Sequence, residues 1–135
     1  MTPINKVLMI RASKKFDKRL INEIRACGHS RIPVFGRSKN QVKGLLYAKD
    51  ILGLKTTGKT AYDLSRKHII VVNENETLDD VLNQFKKTKK HLFIVKGRNS
   101  KVSGVITVED VLEEIIGAEI VDEFDSAGRI DEFTS

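Results

Sequence analysis

The chain repeats itself once, and this limits what its 135 residues can fold into more than any other feature. At an ungapped offset of 60, residues 29–52 lie over 89–112, with Ile32-Pro33-Val34-Phe35 over Leu92-Phe93-Ile94-Val95. Val42, Gly44, Asp50 and Leu52 lie over the identical Val102, Gly104, Asp110 and Leu112. Upstream the offset drifts to 61, where Leu20, Ile21 and Ile24 lie over Val81, Leu82 and Phe85, and to 62, where Val7–Ile10 lies over Ile69–Val72. Matching apolar positions alone would say little, because any αβ unit supplies them. A Gly and an Asp six residues apart in both copies say more.

Each copy reads as strand, helix, strand, strand, helix. Val7–Ile10 and Ile69–Val72 are short apolar runs that suit strands. Phe16, Leu20, Ile21, Ile24 and Cys27 share one helical face, as do Leu78, Val81, Leu82 and Phe85. Thr77-Leu78-Asp79-Asp80 has the spacing of a capping box, in which the Thr hydroxyl and the Asp carboxylate each take a free backbone N–H. Paired apolar runs around Gly36–Asn40 and Gly97–Ser100 predict hairpins. Lys49–Leu54 and Val108–Ile116 read as helices, and Thr60–Leu64 as one helical turn. The boundaries that follow are 1–54 for the first repeat, 55–60 for a polar linker, 61–117 for the second repeat and 118–135 for an acidic extension. Units of about 50–60 residues are marginal alone. The expected architecture is therefore α+β, with two similar halves packed in pseudo-twofold symmetry and clefts between them.

Charge sharpens this reading. The net +6 is a difference: residues 1–108 hold 23 Lys/Arg against 8 Asp/Glu, a net +15, and residues 109–135 hold 1 Arg against 10 Asp/Glu, a net −9. A basic body invites phosphate, whether of a mononucleotide, a nucleic acid or an anionic lipid surface. Nucleic acid is disfavoured because aromatic residues are 6% and Trp is absent, leaving few stacking platforms. No apolar run approaches the roughly 20 residues of a membrane helix. One cysteine, Cys27, rules out an internal disulfide and a multi-cysteine zinc site.

Two segments carry candidate chemistry. In Gly104-Val105-Ile106-Thr107-Val108-Glu109-Asp110 a strand gives way to a helix, whose N-terminus attracts anions. Gly104 permits close backbone approach, Thr107 offers a hydroxyl to phosphate, and Asp110 can accept hydrogen bonds from a sugar diol. The same Thr-x-x-Asp is equally a plain capping box. In Gly28-His29-Ser30-Arg31-Ile32-Pro33, Arg31 offers a planar fork for phosphate oxygens and His29 a ring face for a base. Read blandly, Gly28 caps a helix and His29 and Arg31 are solvated cations. His29, His68 and His91 are scattered, no Walker-type loop is present, and no residue is marked as a nucleophile, so the chain is read as no enzyme, with no catalytic residue and no metal site of its own.

These residues resemble a known family. The duplicated pattern, and Gly104–Asp110 in particular, is similar to the tandem cystathionine-β-synthase (CBS) pair, or Bateman module. Met1-Thr2-Pro3, Gly28–Phe35 and Gly104–Glu114 followed by Ile115-Ile116-Gly117 resemble its CorC/HlyC branch of magnesium and cobalt efflux (hemolysin-related, cyclin M-like) proteins, over nearly the whole chain. The resemblance implies a cytosolic regulatory module of a membrane transporter that binds ATP or AMP, with Mg²⁺ able to accompany the nucleotide. It further implies a homodimer and a transporter domain elsewhere in the parent chain, with Met1 internal to it. The implied nucleotide residues are Thr2, His29, Ser30, Arg31, Pro33, Thr107, Glu109 and Asp110. The alternative is a basic module for nucleic acid or anionic lipid without a nucleotide site. In the first copy Tyr47 stands where Thr107 stands in the second, and Lys49 where Glu109 stands, so one occupied site per chain is expected.

Overall fold

The computed structural model describes residues 1–51 and 58–127, with side chains of the last helix described as far as Gly117. The strands are β1 (Thr2–Pro3), β2 (Ile10–Arg11), β3 (Arg31–Phe35), β4 (Val42–Tyr47), β5 (Val71–Asn73), β6 (Leu92–Lys96) and β7 (Val102–Thr107). The helices are α1 (Lys18–Cys27), α2 (Ala48–Ile51), α3 (Ala61–Leu64), α4 (Leu78–Thr88) and α5 (Val108–Ala127). They form two sheets, one ordered β2-β3-β4 and the other β1-β7-β6-β5.

Within each half the pairing is the same. A parallel strand pair, β2/β3 or β5/β6, is followed by an antiparallel hairpin, β3/β4 or β6/β7. Val34 lies opposite Gly44 and Val95 opposite Gly104, so the third-strand residues correspond at an offset of 61, and the ungapped offset of 60 holds only after the hairpin. The cause is loop length. The first loop closes from the Gly36 N–H to the Gln41 carbonyl, and the second, one residue shorter, from the Gly97 N–H to the Lys101 carbonyl.

Helix boundaries follow from local chemistry. Asp17 caps α1 by accepting from the Leu20 N–H at 2.8 Å, and Gly28 ends it at φ 70°, the left-handed cap that glycine adopts without penalty. Thr77 caps α4 through the Asp80 N–H at 3.2 Å. Only that half of the expected capping box forms among the described residues. The full reciprocal box forms instead between Thr60 and Asp63 at the head of α3. Leu52–Leu54, read as the end of the second helix, and Lys55–Thr57 of the linker lie outside the described residues. The last helix continues past Ile116 into the acidic extension, to Ala127.

Three apolar clusters hold the fold. Phe16, Leu20 and Ile24 pack with Ile32, Val34 and Leu46 on the first sheet, and Val81 and Phe85 with Phe93, Val95 and Ile106 on the second. Between the sheets lies a third, with Leu45 and Tyr47 of the first half against Leu92, Ile94, Val102 and Val105 of the second. β3 and β6 are thus covered on both faces, which is why Ile32–Phe35 and Leu92–Val95 read as unbroken apolar runs rather than alternating ones.

The halves also exchange edges. β1, at the start of the chain, pairs with β7 of the second half, while the Arg66 backbone bridges to Leu45 of the first. Ala61, grouped with the second repeat by sequence, is fully buried in the first half's core. Phe93 is fully buried and stacks in parallel on Phe85 with ring centroids 3.8 Å apart. Phe93→Ala should therefore cost about 3–5 kcal/mol in urea unfolding, and a cost below about 1 kcal/mol would contradict this packing.

Candidate functional site

A proline opens the space between the halves. In the second half the Ile94 N–H donates to the Ile70 carbonyl at 2.9 Å, so β5 pairs alongside β6 from its first residue. Pro33 occupies the corresponding position in β3 and has no N–H to give. The opposite side of β3 does not need one there, because Leu45 directs its N–H and carbonyl to Arg66. Released from pairing, Val7–Met9 does not extend β2, which the sequence predicts to span Val7–Ile10 but which begins only at Ile10. The missing pairing leaves a cavity.

This cavity, about 280 Å³, is lined by Thr2, Lys6, Val7, Leu8, Gly28, His29, Ser30, Arg31, Pro33, Leu92, Val105 and Thr107. Six residues expected from sequence thus come together: Thr2, His29, Ser30, Arg31, Pro33 and Thr107. Glu109 and Asp110 are not among its walls; they stand on the first turn of α5, directly after Thr107, with Glu109 exposed and Asp110 half-buried. Sequence reasoning missed Lys6, Val7, Leu8, Leu92 and Val105, whose apolar or common side chains carry no distinguishing signal.

The walls are built from both halves. β1 brings Thr2 alongside Val105, and its partner Gly104 has no room for a side chain, because a Cβ there would collide with the Thr2 carbonyl. The Ser30 carbonyl accepts from the Ala48 N–H at 2.9 Å, which ties the loop before β3 to α2. Arg31 is half-buried, and its Nε is buried with no hydrogen-bond partner among the described residues. A buried guanidinium N–H left unpaired is costly, which sets Arg31 apart from a fully solvated surface cation. Thr107 and Asp110 do form the capping box: the Thr107 N–H donates to Asp110 Oδ2 at 3.0 Å and the Asp110 N–H to Thr107 Oγ1 at 3.2 Å. That role leaves the other carboxylate oxygen of Asp110 without a partner among the described hydrogen bonds.

The matching place in the first half is filled by the chain itself. Tyr47, in the position of Thr107, is buried. Arg66, in the position of Thr2 along the edge segment, lies 4.0 Å from the Tyr47 ring centroid. Its Nε and Nη2 donate to the two oxygens of Asp50 at 3.0 and 3.1 Å, a bidentate fork. Hydrogen bonding from Arg66 is the main reason the Asp50 carboxyl is held below the usual carboxylate range. Sequence comparison pointed to Tyr47 but not to Arg66, which lies outside the aligned repeat.

Comparison with known proteins accords with this geometry. The CBS domain family profile matches residues 61–117. The structure is similar to the CBS domain of a bacterial CNNM/CorC family Mg²⁺ transporter in complex with ATP, with a TM-score of 0.78 and 30% identity, covering 87% of this chain and 84% of that one. The chain belongs to the CorC/CNNM family of tandem CBS domains. It is 33% identical over 133 residues to the magnesium and cobalt efflux protein CorC of Escherichia coli, which covers 97% of this chain but only 45% of that protein. The chain therefore spans about half the length of the curated relatives it matches. It is also similar to a CBS-domain pair with bound AMP from Klebsiella pneumoniae, with a TM-score of 0.72 and 25% identity, over 86% of this chain and 94% of that one.

The ion pair gives a signed pH prediction. A carboxyl depressed in the folded state contributes stability that is present above its unfolded pKa, about 4, and is lost as pH falls through the folded value. The difference in Tm between the wild type and Asp50→Asn should be small, since both partners are partly exposed. It should be full at neutral pH and narrow in acid. A gap that stays constant through the acid range would exclude the pair in solution.

Proposed function

We propose that this chain is a regulatory adenine-nucleotide-binding module, the CBS pair of a CorC-type Mg²⁺/Co²⁺ efflux transporter, and not a catalyst. The observation that carries this reading is the cleft itself. It lies just below the usual size range for small-ligand sites and brings Arg31 together with Thr2, Ser30 and Thr107. The guanidinium suits phosphate oxygens, and the His29 ring and the apolar Val7, Leu8 and Val105 suit a base. Asp110, with one carboxylate oxygen to spare, suits a ribose diol, and Glu109 stands beside it. Relatives support the ligand class, since one bears ATP and another AMP. Mg²⁺ would accompany the nucleotide through its phosphates rather than through a dedicated protein cage.

One site per chain is the expected stoichiometry, because Arg66 and Tyr47 fill the matching place in the first half. The module would act by linkage. A ligand held jointly by Thr2, by His29–Pro33 and by Thr107 favours one packing of the halves over others. β1 and β7 supply walls of the cleft, and β7 leads directly into α5, so a change there is passed toward both ends of the described chain. No helix among the described residues is long and apolar enough to cross a membrane, so transport itself would belong to another part of a parent protein. A homodimer on the cytosolic face of that membrane completes the reading.

The test is thermal unfolding with AMP, ATP and ATP plus Mg²⁺. Ligand at 100 times Kd should stabilise by about 2.7 kcal/mol. Arg31→Ala should abolish most of the shift. Pro33→Val, which restores an N–H to β3, should reduce the shift by closing the cleft while leaving the unliganded protein folded. Absence of a shift with every adenine nucleotide would refute the proposal, and salt-sensitive binding to random DNA would favour the nucleic-acid alternative.

A further inference from the structure

The two halves differ at a second place, at the end of each sheet remote from the nucleotide cleft. Backbone hydrogen bonds set the correspondence. The Ala12 N–H donates to the Phe35 carbonyl as the Glu74 N–H donates to that of Lys96, so Ala12 answers to Glu74 and Gly36 to Gly97. Lys43, after Val42, answers to Ser103, after Val102.

In the second half this place holds an anion that the chain supplies. The Glu74 carboxylate lies over Gly97, where a Cβ would collide with it, and accepts from Ser103 Oγ at 2.8 Å. In the first half Ala12 is too short to do the same. What remains is an open hollow of about 450 Å³ with Arg11, Arg37, Lys43, Gln41 and Tyr62 in its walls and no carboxylate among them. The side chains converge on Gly36: the Lys43 stem and the Gln41 carboxamide crowd the position of a Cβ there, and Arg11 Nη1 donates to the Gly36 carbonyl at 3.4 Å. Gln41 is held in place by accepting from the Arg37 N–H at 2.9 Å. Among the described residues none of Arg11, Arg37 and Lys43 forms an ion pair. Asp63, next to Tyr62, is occupied by its capping box with Thr60.

We propose that this hollow is a second anion site, for a phosphate group, in which an external oxyanion beside Gly36 supplies the negative charge that the Glu74 carboxylate supplies in the other half. Three cations in one hollow with no carboxylate in its walls favour the higher charge of a phosphate, and two of them are arginines that can fork onto its oxygens. The group could belong to a free phosphate compound or to a lipid headgroup. The site stands independently of the nucleotide reading, since it shares no residue with the cleft.

The test is residue-resolved. Backbone amide NMR spectra are recorded during titration with sodium pyrophosphate, and separately with phosphatidylglycerol or phosphatidylcholine vesicles. The expected result is saturable change at the amides of Gly36, Arg37 and Gln41, distinct from any at Ser30 and Arg31. Saturation by pyrophosphate identifies a free phosphate. Response only to phosphatidylglycerol, and not to phosphatidylcholine, identifies a headgroup. Ala12→Glu, which supplies the missing carboxylate, and Lys43→Ser, which copies Ser103, should each weaken binding about tenfold, the worth of a charge-assisted hydrogen bond. Asn83→Glu, the same charge change on the exposed face of α4, should not. No saturable change at those three amides with either probe, or change that survives both Ala12→Glu and Lys43→Ser, overturns the proposal.

Discussion

The fold depends on an exchange of edges. Thr2 and Pro3 complete the sheet of the half that follows them at the far end of the chain, and Arg66 borders the sheet of the half that precedes it. Each sheet is buried by helices on one face and by the other sheet on the opposite face, so neither half is complete alone. Edge pairing satisfies backbone groups that burial would otherwise leave unpaired. It also fixes where clefts can form, since each edge segment passes beside the strand that carries the Gly-x-x-Thr or Gly-x-x-Tyr pattern.

From that symmetric frame a few residues make the halves unequal. Pro33 removes one donor, and a strand pairing present at Ile94 is lost beside an open cavity. Thr107 and Thr2 keep that room open. In the other half, Tyr47 and Arg66 close it, with a guanidinium against the ring and two hydrogen bonds to Asp50. At the remote end the asymmetry runs the other way, because Glu74 brings to Gly97 a carboxylate that Ala12 cannot bring to Gly36. One duplicated scaffold thus carries an open and a filled version of each place, set by side-chain length and by one absent N–H.

Much of this is legible in the amino-acid sequence. The α1 face of Phe16, Leu20 and Ile24, the α4 face of Val81 and Phe85, and the two hairpins follow from periodicity and turn residues, which are local. Thr2, His29, Ser30, Arg31, Pro33 and Thr107 are marked as candidates by motifs and by resemblance to a family, and they line one cavity. Through β3 and β6 the sequence reads at an offset of 60 and the structure at 61, because apolar runs match equally well at both and only hydrogen-bond register separates them. Periodicity marks Val7–Ile10 as a strand, whereas β2 begins only at Ile10, because periodicity cannot see that the residue of β3 facing this segment is Pro33, which has no N–H to give.

By itself the sequence determined the duplication, the α+β order of elements, the core faces and the separation of a basic body from an acidic end. These depend on residue type and spacing along the chain. Tertiary structure alone decided which half each edge segment joins, that Arg66 reaches Asp50 and Tyr47, and that Arg31 Nε is buried without a partner among the described residues. Those outcomes depend on backbone register and on contacts between residues distant in the chain, where a shift of a single residue would turn a cleft wall into core.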